Sequence, residues 1–237
     1  TSRVAVVIAL MALAGTVGWF AHQQVSPIGN KAAIEKIVRD TILENPEILP
    51  EALENLQRNQ ARAQLATVRA PVQQPFPGAV LGNPNGAITL VEFTDFACGY
   101  CRKSVTDIEA LTKANPDLRI VVRELPIISP HSAAAAKMAL AAAEQGKYKP
   151  FHDAMFAAGQ IDPATIEAAA QTAGLDLARA KTVAESAPVT AELQQNLALA
   201  QKLGFSGTPS WVVGDELIAG AVGVDRLAEA VKSARKN

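Results

Sequence analysis

The sequence predicts an α/β fold in which an alanine-rich block of helices interrupts a small sheet domain. Short runs rich in valine and isoleucine at about 87–93 and 118–125 predict two strands with a helix between them. Turn signals divide the segment at about 132–203 into four or five helices, and a Gly-Asp turn then joins two short strands. The predicted order is therefore strand, helix, strand, helical block, hairpin and helix.

The elements of this domain, which we place at 87–237, have clear local signals. Ala87–Phe93 predicts a buried strand, and the helix after it ends at Asn115 because Pro116 restricts the residue before it. Leu118–Leu125 predicts the second strand. Two short strands and a closing helix with cations near its end complete the domain: Ser210–Val213, Glu216–Ala219 and Val224–Lys236.

An uncharged apolar run, Val4–Phe20, follows Arg3 near the start of the printed sequence. It predicts a membrane-targeting segment at 1–24, because a run of this kind at an N-terminus is seldom a core helix. We favour an uncleaved signal-anchor over a signal peptide cleaved after Ala14. Under either reading the remaining chain is exported to the periplasm, anchored in the inner membrane or released, where thiols are oxidised.

Residues 25–70 predict a helical N-terminal region, and the proline-rich segment 71–86 predicts a linker into the next domain. One face of the helical region is apolar and includes Ile34, Ile37, Ile42, Ile48, Leu53 and Leu56. This face either folds back onto the following domain or meets copies of itself. The periodicity alone leaves both alternatives open.

Composition excludes several classes of function. The formal net charge is −1, so nucleic acid is not an expected partner. The chain has two cysteines and three histidines, too few for a disulfide scaffold and a poor set for a closed zinc site. We predict no metal and no cofactor, and the two neighbouring cysteines fit a redox pair best.

The pair Cys98 and Cys101 lies where the first strand passes into the next helix. Unpaired backbone N–H groups and the helix dipole at that end stabilise a thiolate on Cys98 and lower its pKa. Cys101 comes one turn later and faces inward, too buried to be attacked first. The sequence therefore predicts a redox-active disulfide in which Cys98 is the nucleophile and Cys101 the resolving cysteine.

Glu92 interrupts a strand that we expect to be covered on both faces. A lone carboxylate there costs free energy unless it is used or paired. Beneath the helix end it can take the proton of Cys101, and burial would raise its pKa toward that task. The alternative is a glutamate at an edge or linked to water without a catalytic role, and we favour the catalytic one.

Thr208 and Pro209 directly precede the predicted hairpin, in a Gly-Thr-Pro sequence suited to a cis proline. Sequence alone favours an ordinary trans turn, because cis peptides are the minority even before proline. A proline here has no N–H and leaves the backbone of Thr208 free to hydrogen-bond an extended substrate. We predict that Thr208 and Pro209 contact substrate, together with Gly99 and Tyr100 between the cysteines.

Glu92, the Cys98–Cys101 motif and Thr208-Pro209, in this order around a helical insertion, resemble the DsbA family of thioredoxin-fold proteins. The resemblance covers about residues 78–237. It implies a thioredoxin-like fold with a helical insertion, a buried acid at Glu92 and a cis proline at Pro209.

Two further stretches narrow the resemblance. Arg123–Pro126, followed by His131 and an alanine run, is similar to the bacterial branch often named Com1-like. The family's strongest oxidants have Pro-His between the cysteines, where this chain has Gly99-Tyr100. The resemblance therefore does not imply very strong oxidising power.

The N-terminal helices resemble the leader of the suppressor-of-copper-sensitivity protein C group. The resemblance rests on Ile37–Asp40, Leu43–Leu49 and Ala52–Gln57. In that group the leader drives the formation of trimers, and the trimers act as disulfide isomerases. The resemblance thus implies a homotrimer, which the periodicity did not decide.

We expect thiol–disulfide exchange on exported proteins that contain cysteines, as a disulfide isomerase or oxidase recycled by a membrane thiol-redox partner. The alternative is a periplasmic copper-binding protein that uses the two thiolates, because soft thiolates suit Cu(I). Against copper, Met11, Met138 and Met155 lie far from the motif in sequence and form no methionine-rich tract.

Overall fold

The computed structural model describes residues 31–235, so the predicted targeting segment at 1–24 lies outside the described residues. The described residues form two compact units, 31–55 and 56–235. Within residues 31–235, none of the helices has both the length and the apolar character needed to cross a membrane.

The first unit contains helix α1 (Lys31–Glu44) and the first part of helix α2 (Ile48–Leu65). The two helices separate at Asn45, whose side-chain amide donates a 2.9 Å hydrogen bond to the carbonyl of Thr41. Pro46 follows and disfavours helical backbone at Asn45, as the sequence predicts. Most of the large apolar side chains here are exposed: Ile34, Ile37, Val38, Leu43, Ile48, Leu49 and Leu53.

The second unit is built around a five-stranded mixed sheet. Its strands are β1 (Val80–Gly82), β2 (Ile88–Thr94), β3 (Leu118–Glu124), β4 (Ser210–Val213) and β5 (Glu216–Ala219). Their order is β1-β3-β2-β4-β5; β2 and β3 are parallel, and every other pair is antiparallel. Strands β2 and β4, far apart in sequence, are therefore neighbours at the centre of the sheet.

Helices cover both faces of this sheet. After α2 come α3 (Arg69–Gln73), α4 (Gly99–Ala114), α5 (Ser132–Glu144), α6 (Tyr148–Ala158), α7 (Pro163–Thr172), α8 (Leu177–Ala184), α9 (Ala187–Lys202) and α10 (Gly223–Ala234). The predicted order of elements is confirmed, and the helical block consists of the five helices α5–α9. The predicted hairpin strands match β4 and β5 residue for residue.

Alternating residues of β2 point to the two faces of the sheet. Leu90 belongs to the core beneath α4 and the helical block, and Glu92 and Thr94 share its face. Val91 and Phe93 belong to the opposite core. The last residue of α2, Leu65, and Val68 in the turn after it are buried in that opposite core.

The structure adds two elements that the sequence did not predict, α3 and β1, in and beside the predicted linker at 71–86. This segment is part of the domain, because the Val72 and Leu81 side chains are buried. The buried guanidinium of Arg123 also donates hydrogen bonds to the carbonyls of Pro71 and Gln74. Elements of five and three residues are too short to show periodicity, so proline and glycine dominated the prediction.

Candidate active site

Cys98 is the N-cap residue of α4, as the motif predicts. Its sulfur accepts a 3.0 Å hydrogen bond from the backbone N–H of Cys101. In its neutral form the thiol also donates a 3.3 Å hydrogen bond to the carbonyl of Thr208, and this bond is lost when Cys98 ionises. Both cysteines are free thiols. The site is thus described in its reduced form.

The two thiols differ strongly in acidity. The hydrogen bond between the two thiols lowers the pKa of Cys98 to about 6, with help from Thr208 and the N–H groups at the helix start and against the effect of burial. Burial raises the pKa of Cys101 far above its ordinary value, and its hydrogen bond to Cys98 adds to the rise. At neutral pH Cys98 is the thiolate and Cys101 the thiol.

Acidity, rather than access, separates the two cysteines. Cys98 is 3% exposed and Cys101 1% exposed, so the predicted contrast in burial is small. Gly99 and Tyr100 between them are exposed, and the ammonium of Lys103 lies 5.5 Å from the centre of the Tyr100 ring. A substrate that reaches Cys98 would meet these two residues first.

The peptide bond between Thr208 and Pro209 is cis, although local sequence favours trans. Tertiary contacts hold this loop: the Pro209 carbonyl accepts a 2.8 Å hydrogen bond from the N–H of Gly220, and Ser210 pairs with Phe93 of β2. This register brings the Thr208 carbonyl to Cys98.

Glu92 lies on β2 between Val122 of β3 and Trp211 of β4, and it is 1% exposed. Burial, with a smaller contribution from the charge on Cys98, raises the pKa of Glu92 to about 8. Its charge in turn raises the pKa of Cys101. The structure therefore brings Glu92, both cysteines and the Thr208-Pro209 loop into one electrostatically coupled site.

Asp95 is a site residue that the sequence analysis missed. Its carboxylate accepts hydrogen bonds of 2.7–2.9 Å from the N–H groups of Ala97, Ile127 and Ile128 and from the hydroxyl of Ser132. Its own carbonyl accepts from the N–H of Cys98 at 2.9 Å. Asp95 thereby fixes the turn that delivers Cys98 to the helix, and an Asp three residues before the N-cap was the available signal.

Packing of the helical block supports the same turn. Phe96 packs against Phe151 and Phe156 of α6, with ring centroids 5.9 and 5.0 Å apart. Arg102 of α4 donates a 2.7 Å hydrogen bond to the carbonyl of Gly159, just after α6. The inserted helices therefore help to position the reactive cysteine.

The part of the chain from 31 to 235 contains no group of three or more histidine, cysteine, aspartate or glutamate side chains placed to hold a metal ion. What this site offers is one ionised thiol, one neutral thiol three residues away and a buried acid beneath them. These groups suffice for the nucleophilic and proton-transfer steps of disulfide exchange.

A mixed sheet with this helical insertion and a dithiol at the start of α4 defines a thioredoxin-like fold. Residues 89–232 match the family described as DSBA-like thioredoxin domain. The match covers more than half of the chain, which therefore belongs to this family. Residues 30–63 match the copper resistance protein ScsC N-terminal domain. The resemblances to the DsbA family and to the N-terminal leader of the ScsC group are confirmed.

Solved structures give the same result. The chain is 45% identical to a thioredoxin-like oxidoreductase from Silicibacter pomeroyi, with a TM-score of 0.65 over 67% of this chain and 92% of that one. It is 30% identical to Proteus mirabilis ScsC in a transitional conformation, with a TM-score of 0.66 over 86% and 96%. It is 27% identical to a periplasmic thioredoxin-like protein from Salmonella enterica serovar Typhimurium, with a TM-score of 0.64 over 72% and 97%.

Curated relatives are longer proteins. The chain is 31% identical over 158 residues to Na(+)/H(+) antiporter NhaA 3 of Salinispora tropica. The match covers 65% of this chain and 24% of the antiporter, so this chain spans about a quarter of the length of such relatives.

The raised pKa of Glu92 predicts how stability depends on pH. The folded-state pKa of about 8 exceeds the ordinary value of 4.5, so the wild type takes up a proton on folding and loses stability as pH rises from 4.5 to 8. Glu92→Gln does not titrate, so its stability advantage over the wild type should grow across this window by about 1.4 kcal/mol per pH unit. Urea unfolding of the reduced proteins between pH 4 and 8.5 measures this difference.

The exposed Glu109 of α4 provides the matched control, and Glu109→Gln should keep the pH dependence of the wild type. If the difference in stability between Glu92→Gln and the wild type does not change between pH 4.5 and 8, the pKa of Glu92 is not raised by burial, and the desolvation argument is wrong.

Proposed function

We propose that the chain is a thiol–disulfide oxidoreductase that exchanges disulfides with exported, cysteine-containing proteins through Cys98 and Cys101. The observation that supports this most directly is the position of Cys98 at the start of α4, where its sulfur accepts a 3.0 Å hydrogen bond from the N–H of Cys101. Membership of the DSBA-like thioredoxin domain family agrees with it. The copper-binding alternative stays a prediction of the sequence.

Two exchanges complete one reaction. The Cys98 thiolate attacks one sulfur of a substrate disulfide, forming a mixed disulfide and releasing the other substrate sulfur as a thiolate. Cys101 then loses its proton and attacks Cys98, forming the Cys98–Cys101 disulfide and releasing the second substrate thiolate. Two electrons pass from the dithiol to the substrate, and the same steps in reverse oxidise a substrate dithiol.

Glu92 serves as the proton acceptor in the second exchange. While Cys98 is a thiolate, its charge helps to keep the pKa of Glu92 at about 8 and the acid mostly protonated at neutral pH. The mixed disulfide removes that charge, so the pKa of Glu92 falls just when Cys101 must lose its proton. Because of this coupling between Cys98 and Glu92, Glu92 ionises more readily at the stage at which Cys101 must lose its proton.

The pKa of Cys98, lowered to about 6, keeps a thiolate available for attack at neutral pH. We place the protein in the periplasm, with a membrane thiol-redox partner that resets Cys98 and Cys101. The similarity to a periplasmic thioredoxin-like protein supports this location.

Substrate trapping tests the roles of the two cysteines. Cys101→Ser should accumulate mixed disulfides on Cys98, because no second thiol remains to release the substrate. Cys98→Ser should accumulate none, because the remaining thiol has a strongly raised pKa. Non-reducing gels and mass spectrometry after incubation with a scrambled multi-disulfide protein measure the adducts. Trapping by Cys98→Ser instead would reverse the assignment.

We further propose that the apolar face of the N-terminal helices joins copies of the chain, most simply as a trimer that works as an isomerase. Ile37, Leu43 and Leu53 are 55–72% exposed, and the match to the ScsC N-terminal domain covers this region. Association would hold several Cys98 sites around one substrate. One site then breaks a wrong disulfide while another retains the same client at high effective concentration.

The structure determines at which residue a fragment without the N-terminal apolar face should begin. Leu65 and Val68 are buried, and Arg62 and Arg69 each bind Asp215 at 2.6 Å, so a cut after them would damage the domain. A fragment starting at Leu56 keeps all of these contacts.

Light scattering should show a monomer for 56–237 and an oligomer for 26–237. The shorter fragment should keep reductase activity and lose isomerase activity on a scrambled substrate. A double variant, Ile37→Glu with Leu53→Glu, should give the same result without truncation, because both charges fall on the apolar face. Equal, monomeric masses for both lengths would remove the support for the trimer.

A further inference from the structure

Among the buried polar atoms that have no hydrogen-bond partner within residues 31–235, three belong to side chains of β2 and β3: Glu92 Oε2, Thr94 Oγ1 and Glu124 Oε2. Glu92 and Thr94 lie two residues apart on β2, and Thr94 pairs with Glu124 on β3. Alternation along neighbouring parallel strands puts the three side chains on one face of the sheet. We call this group the polar niche.

Glu124 is held firmly at one side of the polar niche. Its side chain is fully buried, and its Oε1 accepts a 2.6 Å hydrogen bond from the hydroxyl of Tyr148 on α6. Its backbone carbonyl accepts a 3.1 Å hydrogen bond from the amide of Asn196 on α9. Neither contact uses Oε2, the oxygen that remains for the niche.

Burial favours the protonated form of Glu124. Burial raises its pKa well above the ordinary value, and the charges of Asp95 and Glu92 raise it further, against the hydrogen bond from Tyr148. Because Oε1 already accepts a hydrogen bond, the proton belongs on Oε2. Glu124 therefore presents an O–H donor to the group that contains Glu92.

Other ionisable groups around the niche have different tasks. Asp95, in the turn after β2, accepts four hydrogen bonds that fix the turn before Cys98. Cys98 and Cys101 at the start of α4 are the reacting thiols. Arg123, beside Glu124 in sequence, binds Glu192 at 2.6 Å. Trp211, the β4 neighbour of Glu92, carries no charge.

We propose that Glu124 is a positioning residue for Glu92. The O–H of its carboxylic acid donates a hydrogen bond into the polar niche, which stabilises the ionised form of Glu92 that accepts the proton of Cys101. The polar niche contains three such atoms, and a single buried water usually makes about three hydrogen bonds. The proposal rests on the proposed function, since Glu92 acts only when a mixed disulfide resolves. It adds a role for Glu124, Tyr148 and Thr94 that disulfide exchange alone does not require.

The direction of the expected effect follows from charge stabilisation. A donor near Glu92 favours its ionised form, so loss of the donor raises the pKa of Glu92. Less Glu92 is then ionised at neutral pH, and Cys101 loses its proton more slowly. The pH profile of resolution should therefore move to higher pH.

The kinetic test uses the full chain and glutathione disulfide as the probe. Stopped-flow measurement gives the rate at which the mixed disulfide on Cys98 is resolved, as a function of pH. Glu124→Leu should move the midpoint up by about one pH unit, which is about tenfold in rate on the acidic side. Glu124→Gln keeps an N–H donor and should move the midpoint less. Tyr148→Phe removes only the hydrogen bond that holds Glu124 in place, and it should also move the midpoint up by a small amount.

The second test needs no activity. Thr94→Val replaces the hydroxyl with a methyl group of similar size. If the hydroxyl is bonded within the niche, Thr94→Val loses stability in urea unfolding; if it is truly unpaired, the substitution gains stability. Ser186→Ala, which removes an unpaired hydroxyl far along the chain, is the matched control and should be neutral or stabilising.

An unchanged pH midpoint in Glu124→Leu, or a more stable Thr94→Val, overturns the proposal. If Glu124→Leu does not fold, the midpoint in Glu124→Gln and Tyr148→Phe decides in its place. If the wild type resolves no mixed disulfide at all, the proposed function fails, and the stability of Thr94→Val still decides whether the niche exists.

Discussion

The contact between the sulfur of Cys98 and the carbonyl of Thr208 joins two residues 110 positions apart in the chain. It exists only because β2, which leads to Cys98, pairs with β4, which follows Pro209. The whole helical block lies between these strands in sequence. Strands β2 and β4 must therefore pair across the helical insertion before the redox site is complete. The rest of the fold supports that pairing.

Burial of carboxyl groups around the redox site is the second constraint. Glu92, Asp95 and Glu124 are each at most 1% exposed, a costly arrangement unless their protons and hydrogen bonds are arranged for use. For Asp95, four hydrogen bonds donated to its carboxylate offset the free-energy cost of burial. Glu92 and Glu124 resolve it by retaining protons, which makes them sensitive to the charge on Cys98 and available for proton transfer.

Sequence reasoning found the features that local pattern encodes. Cys98 at a strand–helix junction, Glu92 in an apolar strand and the β4–β5 hairpin each have a signal within ten residues. The remaining features depend on tertiary structure. The cis bond at Pro209 is held by pairing with distant strands. The role of Glu124 in the polar niche depends on its register with Thr94 and on the hydrogen bond from Tyr148 of α6. No window around these residues contains that information.

The ionisation of Cys98 at neutral pH depends on its place at the start of α4 beside Cys101 and Thr208. Thiolate absorbance of the reduced protein, followed from pH 4 to 10 with Cys98→Ser as the reference, tests this directly. We expect a transition near pH 6 in the wild type that is absent from Cys98→Ser. A single transition near pH 9, or a transition near pH 6 that persists in Cys98→Ser, would contradict it.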